Sequence, residues 1–414
     1  MNNIFLSTAL IIGCLTAPTT IADSPVRPGD RIAIIGNTFA DQLRIHGYLE
    51  AMLLQHSREN PVSIRNLGWG GDMLAARDRP TGFPTEESTL MAHKTDVIIA
   101  CFGMGESFAG EKGLDDFTNQ LKTLIASHAG KTYNGKSEVR LILVSPIACE
   151  DMGKLTPGRD ERNRDLASYT RAMQDVATDA DVPFVNLLDV SRYLMDEPKG
   201  PQLTTNGIHL NAFGYWAISH TFFDQLRSDD RFSGRQSWLL RIDAATKASD
   251  GRGVDISELA TGPSGLSFQV TEKSAPTLRP PIDQQLPPQL EFVRDTLVVE
   301  NLKPGKYQLT VDGELVATAT AEAWAAGLAI DDSPVHKAAE AFHAVVNDKN
   351  LQFTYSWKAL NQVHIVGERR KSPSGKNLPA EVIEFNRLAN ELDSSLGKPI
   401  ELKTRRWRVS LTSQ

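Results

Sequence analysis

Between Arg31 and Arg227 the sequence alternates short apolar runs with longer segments of helical spacing, which restricts the chain to few architectures. The runs are RIAIIG, VSIRNLG, DVIIACFG, RLILVSPI and PFVNLLD. The third is apolar almost throughout, and the fourth is stopped by Pro146. Runs of this kind suit strands buried on both faces. The segments between them include FADQLRIHGYLEAMLLQH, read as one helix with Leu43, Leu49, Leu53 and Leu54 at helical spacing. LDDFTNQLKTLIASH, RDLASYTRAMQDVATDA and NAFGYWAISHTFFDQL follow, the last with Asn211 as its expected cap. Apolar strands separated by amphipathic helices predict a parallel sheet covered on both sides. In such sheets ligands bind at the carboxyl ends of the strands.

The predicted fold is therefore α/β: a flavodoxin-like three-layer α/β/α unit with a five-stranded parallel sheet, over residues 29–230. Residues 231–330 change character. Pro276, Pro280, Pro281, Pro287 and Pro288 mark a linker, and short β runs are split by Pro304-Gly305 and Asp312-Gly313. An Asp-Gly pair between alternating runs is a strong hairpin signal, so this stretch reads as a linker and small β module. Residues 331–414 read as a helical C-terminal extension. Asp332 or Ser333 is its cap and Pro334 sits in its first turn, while the basic patch around Arg369 and Arg370 and the segment SPSGKN read as surface.

Residues 1–22 read as a signal peptide, with an apolar core of signal length over 4–15. Cleavage after Ala22 competes with a lipobox reading of IIGC, in which Cys14 carries a lipid anchor. Either way the expected location is outside the cytoplasm, periplasmic or secreted. No other stretch approaches the ~20 apolar residues of a membrane span. Cys101 and Cys149 permit one disulfide, but two buried thiols at strand ends is the simpler reading. The net charge of −7, with Lys and Arg scattered, argues against a nucleic-acid partner. The histidines show no ligand pairing, so no metal and no cofactor is expected.

Four loops share the carboxyl edge of the predicted sheet: Gly36-Asn37-Thr38 after strand one, NLGWGGDM after strand two, FGMGES after strand three, and TTNGIHLNAFGYW before the closing helix. In order and spacing they resemble the SGNH, or GDSL-type, hydrolase family, over about half of the chain. The added β module and tail resemble extensions on exported bacterial, planctomycete-like relatives. The second block keeps Asn66, Gly68 and Gly71, and the fourth keeps His209 with Leu210, Asn211, Gly214 and Tyr215. The catalytic blocks are otherwise degenerate. Thr38 stands where the family has its serine, preceded by Asn37 rather than Asp. Gly105 stands for the block-three Asn, followed by Glu106, and Asn206 stands for the triad acid.

The resemblance implies an ester hydrolase, with acyl esters of carbohydrates as a plausible small-molecule or glycan substrate. Thr38 would be the nucleophile, His209 the base and Asn206 its orienting partner. Gly71, Gly105 and the Thr38 amide would serve the oxyanion. Asn37, Glu106 and Asp72 are possible supports, with Glu150 and Asp151 on the same rim. A threonine methyl crowds such a turn, Gly105 lacks a side-chain donor, and Asn206 brings no charge to an imidazolium and can favour the wrong tautomer. These losses keep a second expectation open, a catalytically inactive module that binds a glycan or a protein partner. Trp69 reads either as a platform for a sugar ring or as core.

Overall fold

The computed structural model describes residues 24–57, 59–79, 83–227, 237–282, 286, 294–361 and 371–412. The expected signal peptide with Cys14, Pro287, Pro288, Arg369 and Arg370 lie outside them. The sheet strands are β1 (Arg31–Gly36), β2 (Ser63–Asn66), β3 (Val97–Cys101), β4 (Arg140–Val144) and β5 (Phe184–Val185). They pair in the order β2-β1-β3-β4-β5, all parallel, which is the flavodoxin-like order. The helices are α1 (Thr38–His46), α2 (Tyr48–His56), α3 (Glu86–His93), α4 (Leu114–His128), α5 (Arg159–Asp179), α6 (Leu188–Met195) and α7 (Ala212–Gln225).

Strand side chains alternate between two cores. Ile32, Ile34, Ile99, Ile142 and Val144 pack with α1, α2 and α7, whereas Ala33, Ile35, Ile98, Ala100 and Leu143 pack with α3, α4 and α5. This is why the central strands β1, β3 and β4 are apolar on both faces, while the edge strand β2 carries Ser63, Arg65 and Asn66. Asn211 caps α7 as expected, its side chain accepting from the Gly214 N–H at 2.9 Å. Cys101 and Cys149 are buried free thiols. The fifth strand is shorter than its run, because the chain turns into α6 from Leu188.

The first expected helix is two helices, broken at Gly47. This residue has φ +58°, and a Cβ there would lie 2.2 Å from Asn347 Oδ1. The break is thus where the C-terminal extension docks.

The β module is a sandwich built from β6 (Leu239–Asp243), β7 (Ser249–Arg252), β8 (Val254–Gly262), β9 (Gly265–Glu272), β10 (Thr296–Glu300), β11 (Lys306–Val311) and β12 (Glu314–Thr320), with α8 (Ala321–Ala326) and β13 (Leu328–Ala329). One sheet runs β13-β10-β6-β7. Asp312-Gly313 makes the β11–β12 hairpin, both residues at positive φ.

The tail departs from a purely helical extension. It forms α9 (Pro334–Trp357), α10 (Pro373–Leu396) and then β14 (Arg405–Leu411). The segment SPSGKN is not a surface loop: Ser372 caps α10 and Pro373 opens it. β14 inserts between β11 and β9, giving the second sheet the order β12-β11-β14-β9-β8. Trp407, fully buried, joins Trp238 and Phe268 in the core between the sheets.

On the way, α9 and α10 cover the β2 edge of the parallel sheet. Lys349 Nζ donates to the Ile64 carbonyl at 2.9 Å and pairs with Glu50, whose other oxygen accepts from Asn350 at 2.7 Å. Arg65 and Ser63 bond Asn390 and Asp393. An open edge of unpaired strand is thereby closed by side chains from the tail.

Candidate active site

The strand-one turn is set by its backbone. Gly36 has φ +134°, and a Cβ there would meet the Cys101 carbonyl oxygen at 2.1 Å. Asn37 donates its own N–H to that carbonyl, and its side chain caps α1 by accepting from the Phe39 N–H at 3.0 Å. Asn37 therefore holds the turn. Thr38 becomes the first residue of α1, half-buried, with its hydroxyl at the positive end of the helix dipole.

The second loop folds over this turn. Asn66 donates to the Ala40 carbonyl at 2.7 Å and accepts from the Gly68 N–H at 2.9 Å. A side chain at position 68 would strike the Asp41 backbone at 2.5 Å. The Gly71 N–H then reaches Thr38 Oγ1 at 3.3 Å. Among the described residues the N–H groups of Thr38 and Gly105 make no hydrogen bond. Thr38, Gly71, Gly105 and His209 all line one cavity of about 160 Å³, walled by Phe39, Met73, Met104, Phe108, Ile147 and Ile208. The expected nucleophile, oxyanion donors and histidine thus line one small, mostly apolar pocket, and among the described residues Thr38 Oγ1 bonds the Gly71 N–H and not His209.

Gly105 has an ordinary helical backbone, so strain does not demand glycine there. Space is the constraint: an added Cβ would lie 2.8 Å from Met73 Cγ and 2.9 Å from its sulfur, so the Met73 side chain would have to shift. The Met73 side chain occupies the room that a donor at 105 would need.

His209 is held by Asn206. Asn206 Nδ2 lies 2.9 Å from His209 Nδ1, while its Oδ1 accepts from the backbone N–H groups of His209 at 3.0 Å and Ile208 at 3.3 Å. Those two backbone donors fix which end of the amide is oxygen. The NH₂ end must then face Nδ1, which acts as acceptor, and the ring proton of the neutral histidine sits on Nε2. The expected partner is present, with the tautomer reversed from that of a working base.

The expected carboxylate supports are committed elsewhere. Glu106 accepts from the Leu74 N–H and the Gly103 N–H, both at 2.8 Å, so it ties the second loop to the third and does not orient His209. Asp72 is paired twice with Arg79, at 2.9 and 2.6 Å. Glu150, buried, accepts from the Leu203 and Thr204 N–H groups and anchors the loop that carries Asn206. Asp151 caps the Gly153 N–H. Glu106, Glu150 and Asp151 are thus acceptors for backbone that would otherwise be unsatisfied.

Trp69 is packing, not a platform. Phe83 and Trp357 meet it edge-on, and Arg79 and Lys358 sit 4.5 and 4.7 Å from its ring centre. Lys358, from the tail, bonds Asp41 of α1 at 2.6 Å.

Two further residues organise the site, Tyr215 of the fourth block and Arg162, of which only Arg162 carried no sequence signal. Tyr215 donates to the Phe39 carbonyl at 3.1 Å and stacks on Phe39, joining α7 to the Thr38 turn. Arg162 holds the third loop by donating to the Met104 carbonyl and Ser107 Oγ, with its guanidinium 3.7 Å from the Phe108 ring centre. Among the described residues no group of three His, Cys, Asp or Glu side chains is arranged to hold a metal.

The sequence profile of the GDSL-like lipase/acylhydrolase family matches residues 29–217, the parallel-sheet part of the chain. No curated protein matches. Among solved structures, a gut microbial diltiazem-metabolizing enzyme superposes with a TM-score of 0.70 at 15% identity, covering 94% of this chain and 99% of its own. The combination of α/β unit, β sandwich and paired helices is therefore a shared fold. An acetyl xylan esterase from Geobacillus stearothermophilus gives a TM-score of 0.39 at 17% identity, over 49% of this chain and 96% of its own. An alpha/beta hydrolase from the metagenome of Lake Arreo gives 0.36 at 20% identity, over 49% and 98%.

Proposed function

We propose that this chain, whose residues 29–217 belong to the GDSL-like lipase/acylhydrolase family, is an ester-bond hydrolase for small acyl esters that works through Thr38 and His209. Acyl esters of carbohydrates are the first class to test. The observation that carries the reading is the convergence of Thr38, Gly71, Gly105 and His209 on one cavity of about 160 Å³, a size suited to a short acyl group.

Thr38 Oγ attacks the ester carbonyl and its proton passes to His209 Nε2. The carbonyl oxygen, now an oxyanion, accepts from the N–H groups of Thr38, Gly71 and Gly105. Collapse breaks the ester C–O bond, and the leaving alkoxide takes the proton from His209. Water then attacks the acyl-threonine in the same way and regenerates the hydroxyl. The first step requires His209 to move its proton from Nε2 to Nδ1, against the Asn206 amide donor. Turnover is accordingly slow, and the reason is local.

The test is hydrolysis of short acyl esters and acetylated sugars by the wild type, Thr38→Ala and His209→Ala. Loss of turnover in both variants supports the assignment, and activity unchanged in both contradicts it. The Asn206 amide also favours a second reading. A histidine that presents Nε2–H is a donor, so the same cavity suits retention of a ligand oxygen without turnover. That reading predicts binding without hydrolysis.

A further inference from the structure

The outer face of the sandwich carries a second, chemically different site. Along β14, Arg405, Trp407 and Val409 point inward and are buried, while Arg406 and Arg408 are exposed. These two arginines lie in an open groove of about 730 Å³ between the β8–β9 and β11–β12 hairpins. Strand register places the neighbours of each arginine. Arg408 stands opposite Ser267 of β9 on one side and Thr310 of β11 on the other. Arg406 stands opposite Gln269.

Among the described residues neither guanidinium has an ion-pair partner. Asp312, the carboxylate in the groove, is already engaged: its Oδ1 accepts from the Arg406 backbone N–H at 2.9 Å, and its Oδ2 lies 3.8 Å from Arg405 Nε. Thr261 and Ser264 extend the hydroxyl lining, and none of the described residues that line the groove is aromatic. The chain as a whole is acidic, at −7, so this cationic strip is a local feature.

Three physical points narrow the ligand. Guanidinium forks pair with planar or tetrahedral anions through parallel hydrogen bonds. Alternate residues of a strand are about 7 Å apart, and adjacent strands about 4.8 Å, so the two cations and their flanking hydroxyls form a row that suits an extended polyol bearing spaced anionic groups. A groove without an aromatic ring offers no stacking surface for neutral sugars or for bases.

We propose that this groove binds an acidic oligosaccharide, with a carboxylate on Arg408, flanked by Ser267 and Thr310, and the next anionic group on Arg406. The site lies in the β module, and its test is independent of the catalytic reading.

The experiment is calorimetric titration of the full chain with oligogalacturonates, at low salt and at high salt. Neutral xylo-oligosaccharides of equal length and inorganic sulfate are run beside them. The variants are Arg408→Ser, Arg406→Ser with Arg408→Ser, and Arg408→Lys, each checked for an unchanged circular dichroism spectrum. The expected result is salt-sensitive binding of the acidic oligomer, weakened roughly tenfold or more in the double variant and partly kept by Arg408→Lys. Four results overturn the proposal: no binding by the wild type, equal binding of neutral and acidic oligomers, a double variant that binds like the wild type, or inorganic sulfate binding as tightly as the oligomer.

Discussion

Asn206 donates its side-chain amide to Nδ1 of His209 across 2.9 Å, and two backbone N–H groups keep the amide from turning over. This contact dictates the resting tautomer. Nitrogen-15 NMR of histidine-labelled protein is expected to place the His209 proton on Nε2. In Asn206→Asp, where a carboxylate can only accept, the proton is expected on Nδ1. The same tautomer in both proteins would remove the stated cause of slow turnover.

Met73 and Gly105 form a second coupled pair. Gly105→Asn alone is expected to lower activity and stability, because the new Cβ meets Met73 at 2.8 Å. With Met73→Ala the space opens and the amide can reach the oxyanion position. In subtilisin one such donor is worth about 10²–10³ in kcat. The double variant is therefore expected to exceed the wild type by at least about tenfold. Additive losses in the two single variants and the double variant would refute the steric cause.

Glu106 acts as scaffold, since both its oxygens accept backbone N–H groups at 2.8 Å. Glu106→Gln puts an amide donor against one of them, and a loss of about 1–3 kcal/mol in stability is expected. The shape of the pH–rate profile is expected to stay the same. A lost limb of that profile, at unchanged stability, would make Glu106 an acid or base.

Glu272 gives the sandwich a pH response. Burial pushes its carboxyl from an ordinary 4.5 up to about 7, against the pull of Arg405, whose Nη1 is 3.6 Å away. Asp295 and His336 also face it, from the β10 approach and from α9. Between pH 4.5 and about 7 the folded chain keeps a proton that the unfolded chain has released. Its contribution to stability is thus full below pH 4.5, falls as pH rises through this window, and is level above it. The shift corresponds to about 3 kcal/mol. Denaturant melts across the window are expected to show this decline in the wild type and a flatter profile in Glu272→Gln. Parallel profiles would contradict it.

The parallel sheet was legible because its five strands are buried on both faces and their runs say so without reference to distant residues. The four loops were legible for the same reason, since strand order fixes the edge they share. β14 was not. RRWRVSL alternates outward arginines with buried Trp407 and Val409, and its partners β9 and β11 lie about a hundred or more residues earlier. Nor were the roles of Glu106 and Glu150, because a carboxylate that accepts backbone N–H groups from another loop looks, in sequence, like any exposed acid. Gly47 lies within a run of helical spacing, and its break is visible only with Asn347 in place. The Thr38, Asn206 and Gly105 replacements were visible as letters. Met73 as the reason for Gly105 required the fold.

Ester hydrolysis by Thr38 and His209, held back by Asn206, stands or falls on one comparison of rates. It is kcat for a short acyl ester in the wild type, in Asn206→Asp, and in Asn206→Asp combined with Thr38→Ala or with His209→Ala. In serine proteases, exchanging the orienting carboxylate for an amide lowers kcat about 10⁴-fold. Here the reverse exchange is expected to raise kcat by about tenfold or more, and each added alanine to abolish the gain. A rate indifferent to Asn206→Asp and surviving both alanine substitutions would contradict both roles.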